Sequence, residues 1–468
     1  MGLPAGIDSA VIDRLKDAAG PGGWTADQDL ILPHLVEWRD QWTGSTPLLL
    51  MPQTTQQAQA ILAICHQNRI AVTTQGGNTG LVGAQIPRGE ILLSTRRMTA
   101  IRSIDPVDDA IIAEAGVVLT RVQDAAREAG KRFPLSLASE GSATIGGLIS
   151  TNAGGVHVRR HGMMRAQVLG LEAVLPDGSL HAGLSSLRKD NTGYDLKQLL
   201  IGAEGTLGLV TAATLRMVSR PQVMTVAMLG LETPDQAVAL LHRLEDATGA
   251  VAAFEVMNRT GVELAVRNTP SRDPFPDAWP WLALVEFEGS DAGLLARCEE
   301  ALGAALEAGL AGDALLAQND TQAKAFWFLR EEMSAGQKPE GAAAKHDVSV
   351  PVSRIPQFLT EADAVVNRLV PGARIVAFGH CSDGNIHYDV VQPAGMAPEA
   401  FRALAPALIE AVHDVTVGLD GSISAEHGIG ISRRDEFIRR EPPTHLALMR
   451  AIKTAFDPHG IMNPRVLL

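Results

Sequence analysis

The stretch Gln75-Gly76-Gly77-Asn78-Thr79-Gly80-Leu81-Val82-Gly83 follows a β-branched run at residues 70–74. It lacks the Gly-Lys-Ser/Thr ending of a P-loop. Pro87 and Gly89 continue it as loop, where a Rossmann turn would enter a helix. A strand followed by such a loop lets backbone amides converge on one point, a nest that suits an anion such as a pyrophosphate. Taken alone, an ordinary glycine-rich turn accounts for the stretch equally well.

Outward from this loop, two further elements share its texture. Residues 134–155 read Pro-Leu-Ser-Leu-Ala-Ser-Glu-Gly-Ser-Ala-Thr-Ile-Gly-Gly-Leu-Ile-Ser-Thr-Asn-Ala-Gly-Gly. A flat aromatic cofactor can lie against so side-chain-poor a backbone, with Ser and Thr bonding its polar edges. Tight packing of a helix on a sheet would use the same glycines. The third element is Ile201-Gly202-Ala203-Glu204-Gly205-Thr206-Leu207-Gly208-Leu209-Val210. Around them the pattern predicts a helix at 7–20, a buried strand at 48–50, and a helix N-capped by Thr54 or Thr55. Strands at 91–94 and 111–115 and a helix at 119–129 follow. This is an α/β or α+β beginning.

Composition narrows the function classes. The 468 residues, 46% hydrophobic and 20% charged, suggest two or three globular domains. A net charge of −13 without a basic run argues against nucleic acid. Cys65, Cys298 and Cys381 are too scattered for a disulfide framework, which fits a reducing, cytoplasmic location. Residues 1–15 show neither a basic nor an apolar leader region, and no stretch has the length of a membrane helix.

After Pro221 strand candidates (223–230, 254–257, 281–286) alternate with helices (237–247, 292–308), so a boundary is expected at Arg220-Pro221. A helix is expected over 322–335, placing Arg330 and Ser334 four apart on one face. Lys345 heads the next strand. Singly, such cations are ordinary surface residues; together they can hold a carboxylate. Gly379-His380-Cys381-Ser382-Asp383-Gly384-Asn385-Ile386-His387 reads as strand, Asp-Gly turn and returning strand, which sets His380 and His387 on facing strands. With Glu426 they make a His₂-carboxylate set suited to zinc, although Mn²⁺ or Fe²⁺ would also be accommodated. Glu426 and His427 are neighbours in a glycine-rich loop and can point to opposite sides, His427 toward a substrate as proton acceptor.

The three glycine-rich elements resemble the flavin domain of the vanillyl-alcohol oxidase type, also called the p-cresol methylhydroxylase fold. The pieces Gly-His-x-x-Asp-Gly-Asn-x-His at 379–387 and Ser-x-Glu-His-Gly at 424–428 resemble the FAD-linked D-2-hydroxy-acid dehydrogenases, nearest the branch acting on D-2-hydroxyglutarate, with D-lactate and glycolate dehydrogenases as neighbours. The resemblance implies an α+β fold in three parts: an FAD-binding domain at 1–220, a substrate and metal domain with an antiparallel sheet at 221–435, and a C-terminal helical segment at 436–468 that packs on the flavin domain. It implies FAD contacts at Gln75, Gly76, Gly77, Asn78, Thr79, Gly80, Leu81, Pro134, Ser139, Gly141, Ser142, Thr144, Gly147, Asn152, Gly205, Gly208 and Val210. No histidine lies in the 75–83 loop, so the FAD is expected to be non-covalent.

The same resemblance implies zinc on His380, His387 and Glu426, with His427 as base. Arg330, Ser334 and Lys345 match substrate-carboxylate positions. Ser334 stands where relatives often have Thr. Asp389 stands where the hydroxyglutarate branch often has a substrate-contacting Asn, and an acid there would repel a dicarboxylate. The expected partners are a small 2-hydroxy acid and an electron acceptor, either an electron-transfer flavoprotein or a quinone, with a homodimer as the assembly. The rival expectation is a non-catalytic flavin-binding subunit, which would not need His380, His387, Glu426 and His427 together.

Overall fold

The computed structural model describes residues 7–38 and 41–468. Residues 1–6, the start of the segment read for a leader, lie outside the described residues. The chain forms two compact units: Met1–Gly155, His161–Arg220 and Glu426–Leu468 make the first, Val156–Arg160 and Pro221–Ala425 the second. No helix among the described residues is long and apolar enough to cross a membrane.

The first unit is built on a four-stranded and a five-stranded sheet, with a short two-stranded pair of Lys131–Arg132 and Val218–Ser219 as well. Leu49–Leu50, Ile91–Ser94 and Val72–Gln75 pair in parallel, with Trp24–Thr25 antiparallel at the edge. Parallel strands are covered on both faces, which explains the unbroken apolar runs at 48–50 and 91–93. The Thr55–Gln67 helix supplies cover through Ala58, Ile61, Leu62 and Cys65. Thr54 and Gln57 close its N-terminus as a reciprocal capping box. The second sheet is antiparallel, in the order Ile101–Asp105, Ala110–Glu114, Leu209–Arg216, Val168–Val174, Leu180–Gly183.

The end of the chain belongs to this unit. Met462 bridges Val72 in parallel, and Asn463 donates its backbone N–H to Val72 O at 2.9 Å. The Asn463 side chain accepts from Thr74 N (2.8 Å) and donates to Glu204 O (2.6 Å). The Glu204 carboxylate in turn accepts from Ile429 N (2.8 Å) and Gly430 N (2.7 Å). Burial raises the Glu204 pKa, opposed by those two amides. One buried residue thus pins the loop that follows His427.

The second unit is one seven-stranded antiparallel sheet, in the order Asp313–Leu316, Val223–Leu231, Trp281–Gly289, Val251–Asn258, Arg374–His380, Asn385–Val391, Ala343–Ser349. One face is covered by the Pro234–Thr248, Leu294–Glu307, Ile355–Leu369 and Pro398–Gly418 helices around Phe254, Phe287, Phe358 and Phe401. The other packs the Arg259–Asn268 and Asp320–Glu331 helices on Met257, Leu284, Val376 and Phe378. Here the expected 322–335 helix needs correction. It stops at Glu331, and Ser334 lies in the turn before a 3₁₀ segment, Ala335–Glu340. The chain leaves the helix because Gly336 docks on the Ala265 backbone, where a Cβ would come within 2.7 Å of Ala265 Cα.

Replacing Glu204 by Gln leaves a single acceptor oxygen and turns an amide donor toward one of the two N–H groups. The expected cost is about 1–3 kcal/mol in a denaturant titration. An unchanged midpoint would show that Glu204 does not anchor the loop.

Candidate active site

In the first unit the Gly76–Leu81 loop leaves its strand already locked. Gln75 is buried, and its side chain contacts His34 Nδ1 (2.7 Å) and donates to His34 O and Gln85 O. It shapes the loop and does not present its amide to a ligand. Asn78 takes the left-handed conformation (φ +58) and donates to Val36 O at 2.8 Å. Gln85 Nε2 ties Gly80 O (2.8 Å) and Asn78 Oδ1 (3.2 Å). Among the described residues, no backbone amide from Gly76 to Gly83 donates to a protein acceptor. That is the donor set an anion needs.

The second glycine-rich stretch lies against this loop. A Cβ on Gly76 would collide with Thr144 Oγ1, and one on Gly77 with Ser142 O. Thr144 Oγ1 is buried and has no protein partner. Ser139 O accepts from Ser142 N (2.9 Å) and Ala143 N (2.8 Å), forming one tight turn with Gly141 inside it and Pro134 buried at its approach. Gly147 lies in the Ile145–Thr151 helix, and Asn152 caps that helix in a left-handed conformation. An amide cradle beside a side-chain-poor wall with an orphaned hydroxyl fits the pyrophosphate and ring edge of FAD. Gly205 and Gly208 lead into the Leu209–Arg216 strand. Val210 is buried in the apolar core there, so only its backbone is available to a ligand.

In the second unit the strand registers build the other chemistry. Phe378 pairs with His387, which makes His380 and His387 diagonal neighbours on one sheet face. Their rings are edge-on, 5.9 Å apart. Glu255 pairs with His380 across the next strand, Asp347 with His387 and Lys345 with Asp389, all on that face.

Glu255 is fully buried. Its Oε1 lies 2.6 Å from His380 Nδ1, and its Oε2 accepts from Arg330 Nε at 2.6 Å. Burial opposes its ionisation, but His380 and Arg330 outweigh that and lower its pKa to about 2. With Nδ1 engaged, His380 offers Nε2, the arrangement of a carboxylate-oriented metal ligand. The hairpin thus fits a divalent ion. Among the described residues, the terminal nitrogens of Arg330 donate to no protein acceptor, so that edge suits a carboxylate.

Lys345 Nζ donates to Ser334 Oγ (3.2 Å) and to Asp389 Oδ2 (3.1 Å), and Gln337 Nε2 donates to the same Oδ2 (2.9 Å). Asp389 is therefore the counter-ion of the predicted cation. The expected repulsive acid is partly neutralised where it stands. Cys381 is buried and pushed up to about 12, a thiol with no ligand character.

The 426–428 loop also differs from expectation. His427 Nε2 lies 3.6 Å from Glu426 Oε1, so the two side chains approach each other and do not turn apart. In the second unit Ala425 N, one residue earlier, donates to Asp347 O at 3.1 Å. That ties the chain leading into Glu426 to the strand paired with His387.

Sequence reasoning missed Glu255, Asp347, Gln337 and Glu204. Glu255 left a signal, a carboxylate inside the apolar run Ala252-Ala253-Phe254-Glu255-Val256-Met257, where a buried charge requires partners. A second buried group also escaped it. His157 Nε2 lies 2.7 Å from Glu286 Oε1, and Trp327 Nε1 donates to Glu286 Oε2 at 2.9 Å.

Residues 46–183 match the family described as FAD binding domain, and residues 220–467 match FAD linked oxidases, C-terminal domain. A bovine (Bos taurus) mitochondrial protein named D-2-hydroxyglutarate dehydrogenase is 38% identical, covering 98% of this chain and 83% of its own. A protein of that name from Stutzerimonas stutzeri is 35% identical, covering 98% of both. The solved structure of p-cresol methylhydroxylase with substrate bound superposes with a TM-score of 0.77 at 17% identity, covering 99% of this chain and 98% of that one. The chain belongs to the FAD-linked oxidase family and is an FAD-dependent oxidoreductase with the vanillyl-alcohol oxidase type of flavin fold.

Proposed function

We propose that the protein oxidises a D-2-hydroxy acid to the 2-oxo acid, with D-2-hydroxyglutarate going to 2-oxoglutarate as the first choice of substrate. The observation that carries this reading is the single sheet face on which His380 and His387 stand beside Arg330 and Lys345. An ion site next to carboxylate-binding cations suits an α-hydroxy acid. The curated relatives' names point to the same substrate.

In this reading FAD is held non-covalently by the Gly76–Leu81 amides and the 134–147 wall, and when bound supplies the acceptor for the C2 hydride. A divalent ion, zinc by choice, is assigned to His380, His387 and Glu426, and when bound supplies Lewis acidity at the C2 hydroxyl. Arg330 takes a substrate carboxylate through its terminal nitrogens, and Lys345 with Ser334 adds a second polar anchor. Holding the acid at two points orients C2 and lowers the entropic part of the barrier. His427 takes the hydroxyl proton, with Glu426 beside it to stabilise the imidazolium. Electrons then leave to an electron-transfer flavoprotein or a quinone. The proposal places a homodimer in a reducing, cytoplasmic compartment, in keeping with three buried cysteines that form no disulfide.

A second reading, D-lactate or glycolate as substrate, is favoured by one observation. Asp389 already occupies Lys345, so the anchor for a second carboxylate carries less net positive charge.

Purified protein is expected to be yellow and to bleach anaerobically with D-2-hydroxy acids and not with their L-enantiomers. A colourless protein, or bleaching by neither series, refutes the reading. His427→Ala is expected to lower turnover by roughly 10²–10⁴ with flavin and metal contents unchanged. Near-native turnover would assign the base elsewhere. Asp389→Asn is expected to lower the KM for D-2-hydroxyglutarate about tenfold relative to D-lactate, since a released ammonium recovers ~1–2 kcal/mol toward a partly exposed carboxylate. An unchanged KM ratio would remove Asp389 from substrate choice.

A further inference from the structure

We infer that Glu255 is a positioning residue that couples divalent-ion affinity to substrate affinity, by bracing a metal-ligand histidine and a carboxylate-binding arginine with one side chain. The inference rests on the metal-centre reading above and adds a residue and a linkage to it.

The geometry divides the labour between the two oxygens. Oε1 is bonded to His380 Nδ1 and Oε2 to Arg330 Nε, both at 2.6 Å. Glu255 sits in the middle of the Val251–Asn258 strand, directly opposite His380, and has no exposure. With water excluded, the carboxylate has to be satisfied by these partners. The bond to Nδ1 selects the His380 tautomer and sets the ring plane, which aims Nε2. The bond to Nε sets the rotation of the guanidinium, which aims its terminal nitrogens. The guanidinium carbon also lies 4.9 Å from the Phe378 ring centre, and Phe378 stands 5.0 Å from the His387 ring.

Both oxygens belong to one plane, and one terminal torsion sets that plane. A shift of either partner therefore rotates the acceptor of the other. Neither half can be reoriented alone. Breaking either bond leaves a buried charge partly uncompensated, which the remaining partner must relieve by moving. The other cation provides an internal control. Lys345 is balanced by Asp389 and bonded to Ser334, and among the described residues it bonds to no histidine. Its removal should act on substrate alone.

The test uses flavin-replete native enzyme, Glu255→Gln, Arg330→Lys and Lys345→Met. Zn²⁺ affinity is measured by competition with a chelator in the absence of substrate, and KM and kcat are measured at saturating Zn²⁺. Glu255→Gln is expected to weaken Zn²⁺ binding about 10–100-fold and to raise KM by a similar factor, with kcat changed much less and flavin content unchanged. Arg330→Lys, at a residue that is no ligand, is expected to weaken Zn²⁺ binding by roughly threefold or more, while Lys345→Met stays within about twofold of native. If native enzyme holds Zn²⁺ and both Arg330→Lys and Glu255→Gln keep its affinity, the coupling is refuted and the metal-centre reading stands. If Glu255→Gln does not fold, the contrast between Arg330→Lys and Lys345→Met decides alone, and equal Zn²⁺ affinity in these two refutes the coupling. Native enzyme that retains no divalent ion overturns the metal-centre reading and the coupling with it.

Discussion

The Glu255 carboxylate, buried in mid-strand and shared between His380 and Arg330, is the constraint on which the second unit's chemistry depends. A negative charge with no exposure is tolerated only because two cationic or proton-donating groups meet it at hydrogen-bonding distance. Those two groups come from different elements, a strand and a helix. The helix is therefore held over one face of the sheet at the level of the His380–His387 pair. The apolar packing of Phe326 and Leu329, with Met333 in the turn that follows, holds the rest of it there.

The first unit relies on a different device. Its loop from Gly76 to Gly83 forgoes internal hydrogen bonds so that its amides remain available, and side chains supply the rigidity those bonds would have given. Gln75, Asn78 and Gln85 clamp the loop by amide contacts to His34, Val36 and Gly80. Glu204 does the same for the 428–430 turn. In both cases a polar side chain holds a glycine-rich backbone in one orientation.

How much of this was legible in the sequence varied with the kind of signal. Local periodicity located the Thr55–Gln67 and Pro234–Thr248 helices and the 379–387 hairpin, because spacing of apolar residues and turn chemistry act within a few positions. It erred at Ser334, where the helix ends because Gly336 meets the backbone of Ala265, far away in sequence, a long-range contact that no local pattern encodes. The mixed α+β character and the antiparallel sheet were also legible. The strand order, which puts Val251–Asn258 next to Arg374–His380, was not.

By itself, then, the sequence determined the inventory: glycine-rich loops without side chains to block a ligand, two histidines at hairpin spacing, and an Arg, a Ser and a Lys scattered over sixteen positions from 330 to 345. These are properties of residues and short spacings. Only the tertiary structure decided the pairings: Glu255 with His380 and Arg330, Asp389 with Lys345, Glu204 with the loop after His427. Each joins residues dozens to hundreds of positions apart and centres on a buried carboxylate, and strand register sets Glu255 against His380 and Asp389 against Lys345.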